Sequence, residues 1–239
     1  MASGVSDFYS SVARRTSTGK ANEPHRIQQS WLAVLERAVL LQLASRTPGW
    51  INPDHLTALG FLAQIAAGFC YALAARFKYA LIAAVFCLGL NWLGDSLDGT
   101  LARFRRQQRP HYGFYVDHMV DSFGALALMG GLACSGYMGP EIAIALLIAF
   151  LLLSIQSYLA AQALGEFRLS FWRFGPTELR ILLAVGNLVL LWKPQVHFFG
   201  VHRLFDVGGA IGLAGMTLML VFFTAKNAAR LYAEERIAR

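Results

Sequence analysis

Charge is scarce in this chain: of 239 residues, only 15% are Asp, Glu, Lys or Arg, while 56% are hydrophobic. Counted with glycine and without tyrosine, the apolar share is about 62%, against ~45–50% for a soluble domain. That composition argues against a water-soluble globule. Cysteine is equally sparse. Cys70, Cys87 and Cys134 lie inside apolar stretches, with no CxxC spacing and no neighbouring histidine, so they read as small buried hydrophobes rather than a disulfide or zinc framework. An apolar signal-peptide core is also lacking. Residues 1–26 are polar and read as a flexible cytoplasmic tail.

What the chain has instead is long uncharged runs: Ala58 to Ala75, Tyr79 to Gly94, Ser122 to Pro140, Ile142 to Gly165, Ile181 to Trp192 and Val207 to Ala225. Extended through flanking polar positions, they approach the ~20 residues that a helix needs to cross a bilayer core of ~30 Å. The reading is an all-α polytopic membrane protein with six transmembrane helices. Span one starts near Pro53, with Asn52 placed to cap it. The second runs from Tyr79 into Arg103, the third from His111 to Tyr137, the fourth from Pro140 to Leu164, the fifth after Pro176, and the sixth from Asp206 to Tyr232. Ahead of them, Ile27, Trp31, Val34, Leu35, Ala38 and Leu41 recur mostly at steps of three and four, with Glu36 and Arg37 on the other side. This predicts an amphipathic interfacial helix over 27–47, its apolar face in lipid.

The net charge is +7, a balance common among nucleic-acid binders. Here the basic residues sit between the spans. Six crossings put 17 of the 21 Lys and Arg on one side, so the positive-inside rule places both termini in the cytoplasm and makes a nucleic-acid partner unnecessary. Gly208 and Gly212 permit close helix packing, Trp192, Phe198 and Phe199 suit the membrane interface, and His197 and His202 read as solvated loop residues.

Ionisable side chains in membrane helices are costly and point to function. Asp95 and Asp98, three apart, lie at the end of span two; Asp117 and Asp121, four apart, lie at the start of span three. Each pair shares a helix face, and both pairs meet if the helices are antiparallel neighbours. Converging carboxylates repel unless cations sit between them. The ligands are hard oxygens without a Cys or His set, which suits Mg²⁺ or Mn²⁺, with room for two ions. Gly99 and Gly113 fall on the same faces, where a missing side chain lets a bulky ligand approach the backbone. Metal beside ligand room is the pattern of phosphate chemistry. A cation transporter predicts acids at mid-membrane and broken helices instead, and a noncatalytic scaffold has no need of four acids.

At these residues the chain resembles the CDP-alcohol phosphotransferase family. The family signature is D-x-x-D-G-x-x-A-R, a spacer of usually eight residues, then G-x-x-x-D-x-x-x-D. Here it reads Asp95-Ser96-Leu97-Asp98-Gly99-Thr100-Leu101-Ala102-Arg103, a nine-residue spacer, then Gly113 through Asp117 to Asp121. The longer spacer alters only the turn. Pro53 to Thr57 matches the Pro-x-x-x-Thr start of the family's first span.

The resemblance implies that a hydroxyl attacks the β-phosphorus of a CDP-alcohol and releases CMP, forming a phosphodiester lipid. Asp95, Asp98 and Asp117 would hold the metals, and Asp121 would be both ligand and candidate general base. Gly99, Ala102 and Gly113 would line the nucleotide pocket with Thr57 nearby, joined by Arg103 unless it closes the helix end or pairs with a carboxylate. It further implies CDP-alcohol and lipid substrates and a homodimer. His118 after Asp117, and Glu178 after Thr177, are similar to the choline/ethanolamine phosphotransferase branch, in which such residues help deprotonate a lipid hydroxyl. His118 also fits a residue lying off the metal-facing stripe, and Glu178 a plain first-turn acid. The leaning is to a CDP-polar-headgroup donor; a CDP-diacylglycerol donor with a phosphorylated alcohol acceptor is the alternative. The domain reading is a tail over 1–26, the interfacial helix over 27–47, a six-helix transmembrane catalytic domain over 48–233, and a cytoplasmic end over 234–239.

Overall fold

The computed structural model describes residues 25–27, 33–168, 175–197 and 200–235. Among them are seven helices: α1 (Ala33–Arg46), α2 (Pro53–Ala74), α3 (Ala80–Phe104), α4 (Pro110–Cys134), α5 (Pro140–Leu164), α6 (Pro176–Leu190) and α7 (Leu204–Glu234). Two short ladders accompany them. Strand β1 (His25–Ile27) pairs in parallel with β2 (Glu166–Arg168), and β3 (Gln195–His197) pairs antiparallel with β4 (Val201–Arg203).

Proline marks the helix starts. Pro53, Pro110, Pro140 and Pro176 each occupy a first turn, where the missing N–H has no helical partner to lose. Ahead of Pro53, Asn52 donates its N–H to His55 Nδ1 over 3.2 Å. Helix α5 ends at Gly165, whose φ of 68° is the left-handed stop that favours glycine.

Helices α2, α3, α5 and α7 are each long and apolar enough to cross a membrane. The chain is an integral membrane protein on that ground. Of the six expected spans, the third and fifth differ in kind. Helix α4 has 25 residues but carries Asp117, His118 and Asp121 in its first half. Helix α6 has 15 residues, so at ~1.5 Å per residue it covers ~22 Å, less than a ~30 Å hydrocarbon core.

The segment ahead of the spans also departs from the sequence reading. Ile27 lies in β1 rather than at a helix start, and Trp31 falls outside the described residues. Glu36, which the apolar spacing set on the side away from lipid, is on the packed side. It stands one turn from Leu40 and two from Ala44, both buried against Leu56, Leu97 and Leu101. Ala38 and Leu41, from the side read as lipid-facing, are exposed.

Helix α2 is the hub, packing along both α3 and α4. Glycines set how closely. A Cβ at Gly94 would stand 2.6 Å from Gly60 Cα, and one at Gly131 would stand 2.7 Å from Gly68 Cα, so neither crossing admits a side chain. Helices α3 and α4 are therefore not the packed neighbours that the sequence suggested; each leans on α2, and they converge only around the carboxylates. Tyr71, Leu81 and Leu132 are fully buried at the centre of the core. Outer faces stay apolar, with Leu62, Phe69, Phe86, Leu159 and Ile211 exposed as lipid contact requires.

Candidate active site

Three carboxylates meet where α3 and α4 converge. Asp95, Asp117 and Asp121 each offer an oxygen, and these oxygens all lie within 4.8 Å of one another. At an effective dielectric of ~20, each charged pair at that separation repels by roughly 3 kcal/mol. Among the described residues, Arg180 on α6 brings an opposing charge, its Nη2 lying 2.5 Å from Asp95 Oδ2. The donor set is carboxylate oxygen throughout, and hard oxygen ligands fit a divalent cation of the Mg²⁺ or Mn²⁺ kind.

Asp98 is not one of these three, but it lies close enough to Asp121 for its charge to act there. Its Oδ2 accepts from Thr57 Oγ1 at 2.6 Å, and its Oδ1 takes the Gly99 N–H. Thr57, one helix turn past Pro53, thus brings α2 into the site. Gly113 opens onto space, with nothing within 4 Å of where a Cβ would be. At Gly99 the nearest atom to such a Cβ is Arg103 Nη1, at 3.4 Å, so the exposed guanidinium lies over the glycine rather than filling the cleft. Arg103 Nη2 also donates to Thr100 Oγ1 at 3.2 Å. Ala102 is half-buried on the same helix.

His118 sits beside the acids rather than among them. Its ring lies against Phe114 at 4.2 Å and edge-on to Tyr158 at 4.7 Å. Its Nδ1 is 2.5 Å from the Phe114 carbonyl oxygen, which can only accept. Nδ1 therefore carries the proton in the neutral ring, which makes Nε2 the basic nitrogen. Tyr158, on α5, is close enough to Asp117 and Asp121 to sense their charge. Glu178 Oε2 accepts from the Gly175 N–H at 3.0 Å, closing the start of α6 as a first-turn acid does.

Sequence reasoning assigned no site role to Arg180, counting it with the arginines of the basic side. Its Nε donates to Asn91 Oδ1 at 2.7 Å, and Asn91 Nδ2 reaches Gly60 O at 3.0 Å and Gln64 Oε1 at 3.3 Å. A polar chain thus runs from Gln64 through Asn91 and Arg180 to Asp95. A signal for it was present: Asn91 lies one turn before Asp95, and Arg180 is the basic residue of an apolar helix whose other charge is Glu178. The loop arginines do other work. Arg105 donates to the carbonyls of Thr47, Pro48 and Ile51, and Arg109 pairs with Asp54.

Among curated proteins none matches the chain. The CDP-alcohol phosphatidyltransferase family model matches residues 50–226, a stretch that holds every carboxylate of the site, and the chain belongs to that family.

Proposed function

We propose that the protein is a metal-dependent CDP-alcohol phosphotransferase of phospholipid synthesis. The observation that carries this is the Asp95, Asp117 and Asp121 triad beside the open backbone of Gly113. The residues that would hold two divalent ions are Asp95, Asp98, Asp117 and Asp121. Bound there, such ions neutralise diphosphate charge and ease the departure of CMP. The chain's own part is binding and proton handling. Gly99, Ala102 and Gly113 leave the cytidine diphosphate room along the backbone, with Thr57 and Arg103 at its edges. A hydroxyl oxygen forms a bond to the β-phosphorus, the bond to the CMP oxygen breaks, and Asp121 takes the hydroxyl proton.

The donor we favour carries CDP on a polar headgroup, with a diacylglycerol-like acceptor. His118 Nε2 and Glu178 support that choice as further proton acceptors for a lipid hydroxyl. A CDP-diacylglycerol donor with glycerol 3-phosphate or inositol phosphate as acceptor is the alternative. Six spans within 48–233 would place the site and both termini on the cytoplasmic side, with 27–47 on the membrane surface and the end segments 1–26 and 234–239 in the cytoplasm. The working unit would be a homodimer.

CMP release from purified full-length protein in lipid nanodiscs, given Mg²⁺ and a panel of CDP-alcohols and acceptors, tests this and identifies the pairing. No CMP from any pairing, in protein that binds Mn²⁺, overturns it.

A further inference from the structure

Glu36 contributes no atom to the carboxylate triad, yet it is tied to α3 and α6, the helices that carry Asp95 and Arg180. Its Oε1 accepts from Trp92 Nε1 at 2.9 Å and Ser96 Oγ at 3.0 Å on α3, and from Thr177 Oγ1 at 2.9 Å on α6. Ser96 follows Asp95, and Thr177 precedes Arg180 by three residues, so both helix contacts lie beside the Asp95 and Arg180 pair. Helix α6 is short and packs chiefly on α3. The position of its first turn therefore depends on the few polar links it makes there. Glu36 Oε2 is buried with no hydrogen-bond partner among the described residues, which is a cost in stability. Two of the three bonds to Oε1 come from α3 and one from α6, so the same oxygen joins the two helices.

We propose that Glu36 is a positioning residue: a single carboxylate oxygen on α1 that locks the first turn of α6 to α3 and so keeps Arg180 on Asp95. The catalytic consequence rests on the phosphotransfer function proposed above. A misplacement of ~1 Å in a site of this kind lowers turnover by up to ~100-fold, without a matching loss of substrate affinity.

Hydrogen exchange on the full chain in nanodiscs reads the lock directly. Glu36→Ala is expected to speed exchange of the Arg180 to Leu183 amides about tenfold, while α2 amides from Ala63 to Tyr71 stay as they are. Glu36→Gln keeps a carbonyl acceptor for all three donors and is expected to match the wild type. Thr177→Val removes only the α6 donor and is expected to loosen the same amides, which keeps the test open if Glu36→Ala does not fold. Unchanged α6 exchange in Thr177→Val, or an equal rise throughout α2, overturns the proposal. In CMP release, Glu36→Ala is expected to lower kcat about tenfold with donor KM within about twofold, and Glu36→Gln to restore it. Loosened α6 with unchanged kcat would also overturn the positioning role. Wild-type protein that releases no CMP would sink the phosphotransfer reading alone, because the exchange measurement still decides the lock.

Discussion

The decisive residues are carboxylates forced together and the cations that offset them. Asp117→Asn removes one of three mutually close oxygens without changing side-chain size. It is expected to weaken Mn²⁺ binding and cut CMP release by more than about 100-fold, since even outer-shell substitutions at metal sites cost ~10–100-fold. Mn²⁺ titration followed by paramagnetic resonance checks the first effect, and unchanged binding counts against the metal assignment. Arg180 gives the opposite signature. Arg180→Met leaves Asp95 without its ion pair, and breaking such a pair costs roughly 3 kcal/mol when it is well buried, less here because Asp95 is 25% exposed. A thermal melt without metal is expected to fall, and added Mn²⁺ to recover most of the loss. Deeper in the bundle, Asn187 Nδ2 is 2.7 Å from the Tyr71 hydroxyl, both groups buried. Tyr71→Phe is expected to cost about 1 kcal/mol in a reversible unfolding measurement.

At the scale of elements, two glycine crossings fix the cleft. Gly60 against Gly94 sets α2 on α3 one residue from Asp95, and Gly68 against Gly131 sets α2 on α4. Gly131→Ala is expected to destabilise by about 2 kcal/mol or more, because the facing group is backbone and cannot yield. Gly130→Ala, with nothing within 4 Å of its Cβ position, is expected to stay within about 0.5 kcal/mol. Comparing the thermal melts of the two variants isolates the crossing from any general effect of replacing glycine. Helix starts were legible in the sequence because proline acts locally: Pro53, Pro110, Pro140 and Pro176 need no partner to disfavour a helix interior. The partners of Glu36 were not legible. Apolar spacing set it on the side away from lipid, and only the packed helices bring Trp92, Ser96 and Thr177 to it as donors.

The whole molecule couples an apolar body to a charged end. Outward-facing Phe69, Phe86, Ile211 and Leu218 need lipid, while the carboxylates need water and cations. The proposed orientation rests on the distribution of lysine and arginine along the chain. Gln107→Cys in the turn between α3 and α4 is expected to react with a membrane-impermeant maleimide from the cytoplasmic side only. Labelling from the opposite side would reverse the proposed topology.

By itself the sequence determined the membrane class and the helix starts that proline marks, because hydropathy and proline geometry are local properties, and it picked out the acids proposed as metal ligands from their short helical spacing. It could not determine which acids meet. Asp95 joins Asp117 and Asp121 while Asp98, three residues away, is bonded to Thr57 on α2, a helix that packs on both α3 and α4. Nor could it assign Arg180 or Glu36, whose partners lie 85 and up to 141 residues away along the chain. Contacts at such separations exist only once the helices have packed, and the tertiary structure alone decides them.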